Sequence, residues 1–578
     1  MKIKFIYIAL YMLAVVSATS CKDILEVDPQ GAVSAGAPTA ESANGLVTAA
    51  YAAVGNDDMI GPMTSMWVYG SVRSDDAYKG GGGVSDVADV NFYEQYNLTQ
   101  PDQAWMHPYT WENFYIVISR ANSALAALNQ LSDEDYELRK VRIGEARFIR
   151  GHAYFMLKIL FKYVPYIEEG LSKDEILQIS NKVYTNDELW NKIAEDFQYA
   201  YDNLPESQPE VGRANHYAAA AYLAKLRLYQ AYEQDENNQV TGINSSRLQE
   251  VVDLTQEVIS SGMYSLQPDF AENFLDGYDN GPESIFAVQF SISDGTAVGR
   301  LSFVTGLNYP HGATQFGCCG FHAPSQNLVN AFSTDDSGLP KFETFNSVEL
   351  SSDDITPTGV TMDPRIDHTV GIHGHPYKYR NQEAYIFDNS WVRDPGVYGW
   401  FQSMKEQQAA DCSCYKKEGP FIGTSKNIDV IRYADVLLMQ AEAYIELGQH
   451  DLAMPLINQV RARASQSTGR TKLADGTPAS NYLIDQYDGV NLAWTQDNAR
   501  MALQWERRLE FAMESPRFFD LVRWGIAEET LNAYLAVEKT RRDFLSDAQF
   551  TAGRDEYYPI PQQEIDFTKG LYEQNVGY

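Results

Sequence analysis

The sequence is poor in cysteine, with five in 578 residues. It is also poor in positive charge: 45 Lys and Arg stand against 78 Asp and Glu, giving a formal net charge of −33. Such a surface repels phosphate backbones and anionic lipid heads, which excludes nucleic acid as a partner. After residues 1–20 no apolar run is long enough to span a bilayer, so no later transmembrane helix is expected. The G-x-S-x-G and H-E-x-x-H signatures of hydrolases and zinc proteases are missing. "KGGGG" (Lys79–Gly83) has no Lys-Ser/Thr helix start after it, so it reads as a hinge or close-approach loop, not a phosphate cradle. Carboxylate pairs for glycoside hydrolysis decide nothing in a chain with this many acids.

What is present begins at the N-terminus. Lys2 and Lys4 precede the apolar run Phe5–Val16, and the small residues Ser17–Ser20 lead into Cys21. That is the layout of a secretory signal, with residues 1–20 as the leader. A cysteine at the cleavage point is the mark of a bacterial lipoprotein, so Cys21 is the expected lipidation site. Stable anchoring takes more than one acyl chain, each buried methylene contributing ~0.8 kcal/mol. Residues 21–40, "CKDILEVDPQGAVSAGAPTA", then read as a flexible lipidated tether.

The clearest architecture is "RYADVLLMQAEAYIELGQHDLAMPLINQVRARA" (Arg432–Ala464). Apolar residues recur at three and four, which predicts two amphipathic helices joined at "LGQHD", with Gly448 as the C-cap. Ala441, Tyr444, Gly448, Ala453 and Ile457 form the small/aromatic/Gly/small/apolar skeleton of a tetratricopeptide helix pair. Weaker helical segments start at Trp111, Gly144, Asn215 and Arg247, and another follows an N-cap at Thr185 or Asn186. Between residues 270 and 423 helical periodicity gives way to Gly, Pro, Ser, Asp and aromatics, with Ser284–Ser293 as one strand. The expected fold is mainly α: a tetratricopeptide-like helical-pair scaffold (41–269 and 424–578) carrying a long, irregular, ligand-binding insert (270–423) with a few short strands. Long irregular segments in helical proteins usually carry function.

Taken in order, these motifs resemble the SusD/RagB family of outer-membrane nutrient-binding lipoproteins. "CKDILEVDP" is similar to the family's start, and "EARFIRGHAYFMLKILFKYVP", "GRANHYAAAAYLAKLRLY" and "VISSGMYSL" to its first helices. "RYADVLLMQAEAYIELGQ", "ERRLEFAMESPRFFDLVRWG" and "YYPIPQQEID…QNVGY" resemble its C-terminal part. The resemblance implies a lipid-anchored, cell-surface protein of the outer membrane. It would capture oligosaccharides and act as the lid of a SusC-like TonB-dependent transporter, with no catalysis and no cofactor. A minority resembling RagB handle peptides, which is the alternative reading; a glycoside hydrolase is a weaker one.

Sugar recognition needs aromatic faces ringed by carboxylates, amides and arginine, and the chain holds 37 Tyr, 26 Phe and 9 Trp. Three loops supply the mixture. The first carries Trp67, Arg73, Asp75, Asp76, Tyr78, Phe92 and Tyr93. The second has Phe316, Cys318, Cys319 and Phe321 where the family would offer a tryptophan platform. The third carries Trp391, Arg393 and Trp400. Each aromatic competes with a role in core packing. The missing indole in the second loop disfavours a flat platform for extended glucans and suits a curved ligand such as a fructan, or another non-starch glycan.

Cys318-Cys319 and Cys412-x-Cys414 account for every cysteine but Cys21. Export permits disulfides. Vicinal bridging, cross-bridges, free thiols and a four-thiolate zinc site all satisfy the spacing, and adjacent cysteines chelate zinc less well than C-x-x-C. His368, His373 and His375 sit among Gly374 and Pro376 and read as turn residues, so no metal site is expected. Arg507, Glu510 and Arg517 read as ion pairs within the scaffold.

Overall fold

The computed structural model describes residues 37–56, 59, 61–295 and 299–578; Cys21 and the leader lie outside the described residues. Elements are numbered here in chain order. Six long helices open the fold: α1 (Ala40–Val54), α2 (Met106–Leu128), α3 (Arg139–Phe161), α4 (Asn186–Asn203), α5 (His216–Ala231) and α6 (Ser245–Ser260). Each packs on the next, as expected of stacked antiparallel helix pairs. The local signals are physical. Thr185 accepts from the Glu188 N–H while Glu188 reaches back to the Thr185 N–H, a capping box that fixes the start of α4. Ala218–Ala221 are fully buried on α5, and their small side chains let α4 and α6 approach closely.

The scaffold resumes after the insert with α7 (Tyr433–Glu446) and α8 (Ala453–Gln466). Gly448 has φ of +75°, its N–H bonds the Ile445 carbonyl, and the Gln449 N–H bonds Tyr444 at 2.7 Å. That double closure is the Schellman turn that "LGQHD" predicts. Ala441, Ala453 and Ile457 are fully buried in the pair. α7 packs directly on α6, so the helical stack is continuous across residues 261–432. Helices α9 (Gln496–Glu510), α10 (Pro516–Trp524) and α11 (Ala527–Glu538) complete it.

Strands among the described residues pair only in twos. β1 (Ala77–Gly80) runs antiparallel to β3 (Phe321–Pro324), with Tyr78 opposite Ala323. β2 (Ser284–Val288) pairs with β6 (Ile428–Arg432), closing the two ends of the insert against each other. β4 (Val370–Gly371) pairs with β5 (Gln402–Ser403). Two-stranded ribbons are marginal alone; here buried ion pairs fasten them to the helices. Glu510 accepts from Arg432 at 2.8 Å, from Arg365 at 3.1 Å and from Arg463. Glu283 accepts from Arg432 and Arg463 at 2.7 and 2.8 Å, and Glu506 from Arg365 and Arg461 at 2.6 and 3.1 Å. Arg507 pairs with Asp435 and Asp520, each at 2.8 Å.

Candidate functional site

The three aromatic loops do converge, and Arg393 is where they meet. Its guanidinium pairs with Asp86 of the first loop at 2.7 Å and donates to the Cys319 carbonyl of the second at 3.1 Å. Beneath it the glycine run wraps around its own lysine: Lys79 Nζ donates to the carbonyls of Gly80 (3.1 Å), Gly83 (2.8 Å) and Asp86 (2.6 Å). Bare glycine backbone lets those carbonyls converge on one ammonium. Burial lowers the Lys79 pKa and raises that of Glu94, which accepts the Lys79 backbone N–H.

Most of the other expected contact residues are packed inward. Trp67 is 1% exposed against Phe321 and His322. Both oxygens of Asp75 are held by Arg517 at 2.8 and 3.0 Å, and Asp76 is held by Arg508 at 2.9 Å. Burial opposes the Asp75 charge, but the two arginines outweigh it and hold the carboxyl at about 2. Tyr78 donates to Glu538 at 2.5 Å, Tyr93 packs edge-on to Tyr558, and Arg73 lies over the Tyr558 ring. Phe316 and Trp391 fill a satellite core with Tyr309, Tyr377 and Phe387. Phe321 is buried over Gly81, and Phe92 is half-buried against the main core. Cys318 and Cys319 are buried and joined to each other, and the buried Cys414 is joined to the half-buried Cys412. His368 and His375 are likewise engaged, with Tyr379 and Ser467 and with Asp367 and Ile355 respectively.

Trp400 is the exception, with half of its surface exposed. It stands on one wall of a cleft of about 440 Å³, with Pro395 and Phe401 beside it. Glu349, Ser351, Ser352, Asp353, His373, Asn389 and Arg542 supply the polar lining. Arg542 donates to Glu349 at 3.1 Å and lies 5.5 Å over the Tyr78 ring. Burial works against its charge, yet Tyr78, Glu349 and Glu538 outweigh that and raise its pKa. Gly399 makes room for it: a Cβ there would fall 2.7 Å from Arg542 Nη2, and φ is +80°. Arg542 Nε and Asn389 Oδ1 are buried and have no hydrogen-bond partner among the described residues. An exposed indole, carboxylates, an arginine and amides around a concave surface fit a polyhydroxylated ligand. Glu349, Asp353 and Arg542 escaped the sequence reading, and His373 was read there only as a turn residue, because nothing in their spacing ties them to Trp400.

The description "SusD family" matches residues 282–578, more than half of the chain. The chain belongs to the SusD family. A second description, "Starch-binding associating with outer membrane", matches residues 57–228. A SusD-like protein of Formosa agariphila is 24% identical over 596 residues, covering 99% of both chains. The SusD-family fold of this chain is similar to that of a SusD-like protein from Bacteroides fragilis (TM-score 0.69, 20% identity, 95% of this chain and 99% of that one). It is also similar to a surface glycan-binding protein A from Bacteroides thetaiotaomicron in complex with laminarihexaose (TM-score 0.65, 21% identity, 93% and 100%). A third neighbour is described as a laminarin-binding SusD-like protein (TM-score 0.64, 23% identity, 94% and 100%).

Proposed function

We propose that this protein is a glycan-binding component of the outer membrane that captures oligosaccharides in the Trp400 cleft. The observation that carries the reading is the half-exposed indole of Trp400 in a concave surface lined by Glu349, Asp353, Asn389 and Arg542. Family membership supports it, as do two neighbours described by their laminarin or laminarihexaose ligands. Those descriptions put a β-glucan such as laminarin on the list of ligands beside the fructans that the sequence suggests.

The mechanism is capture and handover. The indole face offers an apolar platform for sugar C–H surfaces, while Glu349, Asp353 and Arg542 orient hydroxyls. No bond is made or broken, so the protein acts as a binder and not as an enzyme. In this reading Cys21 carries the lipid anchor, the protein faces the cell exterior, and a SusC-like TonB-dependent transporter receives the oligosaccharide beneath it as beneath a lid.

Affinity electrophoresis against laminarin, inulin, levan and starch tests the reading. Retardation in one of these gels, lost in Trp400→Ala, supports it. Migration unchanged in all of them, together with binding to peptides, would move the protein to peptide capture.

A further inference from the structure

A second cleft, of about 370 Å³, is lined by chain neighbours of residues that line the first. The two share their partition. Gln326 lines the Trp400 cleft and its neighbour Asn327 lines the second; Glu349 faces the first and Asn346 the second. Two adjacent arginines brace the partition from below. Arg541 donates to Asn346 Oδ1 at 2.7 Å, and Arg542 donates to Glu349. Val348, between Asn346 and Glu349 in the chain, is 56% exposed.

The second cleft has the chemistry of a sugar site. Its apolar side is Trp505, half-buried and met edge-on by Phe342 and Phe345 at ring-centroid distances of 5.7 and 4.9 Å. Its polar side is a set of atoms without a hydrogen-bond partner among the described residues. The Trp505 indole N–H, the Gln504 amide, Asn346 Nδ2, Thr530 Oγ1 and Arg517 Nη1 make no hydrogen bond to any described residue, although all five side chains line the cleft. The charges behind them cancel: Asp75 holds Arg517 with both oxygens, and Asp76 holds Arg508. An electrically balanced cleft with spare donors and one indole suits a neutral, acceptor-rich ligand, which a sugar residue is and a phosphate or carboxylate is not.

We propose that the Trp505 cleft is a second subsite for the same neutral glycan chain, which crosses the Val348 wall from the Trp400 cleft. The inference rests on the glycan-binding reading of the first cleft. It adds a length requirement, because a fragment too short to cross the wall occupies one cleft and a longer one occupies both. Linked occupancy raises affinity without any new chemistry at the first subsite.

Isothermal titration calorimetry tests this with the wild-type protein and the variants Trp400→Ala, Trp505→Ala and Gln504→Ala. The titrants are laminarin or whichever polysaccharide the gel retains, and its disaccharide. The Gln504 side chain makes no hydrogen bond to any described residue that a change to alanine would break, so that variant reports on the cleft even if Trp505→Ala folds poorly. The expected result is that Trp505→Ala and Gln504→Ala weaken polysaccharide binding about tenfold for the indole, and less for the amide, and leave the disaccharide unaffected. Trp400→Ala weakens both ligands. Polysaccharide affinity equal to wild type in folded Trp505→Ala and Gln504→Ala, with Trp400→Ala defective, would overturn the second subsite and leave the first intact. Binding of no glycan by wild type would remove the first reading and this one with it.

Discussion

Arg365 of the insert and Glu510 of α9 meet at 3.1 Å with both side chains completely buried. Glu510 also holds Arg432 and Arg463, and the surrounding cations keep its carboxyl ionised despite burial. The irregular insert is thereby fastened to the helical stack by charge, where a two-stranded ribbon alone would be marginal.

Glu510→Ala should therefore cost about 3–5 kcal/mol, because it strands buried arginines without a counter-charge. Chemical denaturation followed by circular dichroism measures this. Stability equal to wild type would show that the network is dispensable.

Lys79→Met keeps the length of the side chain and removes the ammonium that gathers the Gly80, Gly83 and Asp86 carbonyls. Hydrogen exchange should speed up across residues 80–86, with little change in global unfolding. Protection equal to wild type would mean that the loop holds its shape without the ammonium.

Gly399→Ala should weaken glycan binding without unfolding the protein. The added methyl would meet Arg542 Nη2 at 2.7 Å and force a positive φ on a residue with a Cβ. The arginine must then leave Glu349. Calorimetry with the retained polysaccharide should show a several-fold loss of affinity.

The pH dependence of stability has a defined sign at Glu556. Burial raises its pKa to about 7, against a lowering contribution from the Gly553 N–H. A raised folded-state pKa favours the folded protein while the group is protonated. That contribution is full below the ordinary glutamate range near 4.5 and is lost as pH rises through about 7. Glu556→Gln keeps a carbonyl for the Gly553 N–H and removes the titration. The variant should gain on the order of 2–3 kcal/mol relative to wild type at pH 8 and nothing at pH 4. Parallel pH–stability curves for the two proteins would contradict this.

The helical scaffold was legible because its signals are local. Thr185 with Glu188, Gly448 after α7, and buried Ala441, Ala453 and Ile457 state their roles within one or two turns of chain. Ion pairing of Arg507, Glu510 and Arg517 was legible in kind, from charges set on an otherwise apolar helical stretch. The binding surface was not. Trp67, Trp391 and Trp400 are the same residue in similar loops, and only the fold decides that the first two are covered and the third is open. Asp75 looks like a sugar ligand until Arg517, which sequence places far downstream, arrives to hold both its oxygens. Arg542 and Glu349 were invisible for the same reason: their meeting depends on contacts remote in sequence, which carry no periodicity.

The most direct test of the account is the mobility of wild type and Trp400→Ala in native gels containing laminarin or a fructan. Half of Trp400 is in solvent, so its removal should leave folding untouched. The account predicts that wild type is retarded by at least one glycan and that Trp400→Ala runs as it does in a glycan-free gel. Equal retardation of both proteins would place the glycan elsewhere and contradict the assignment of the cleft.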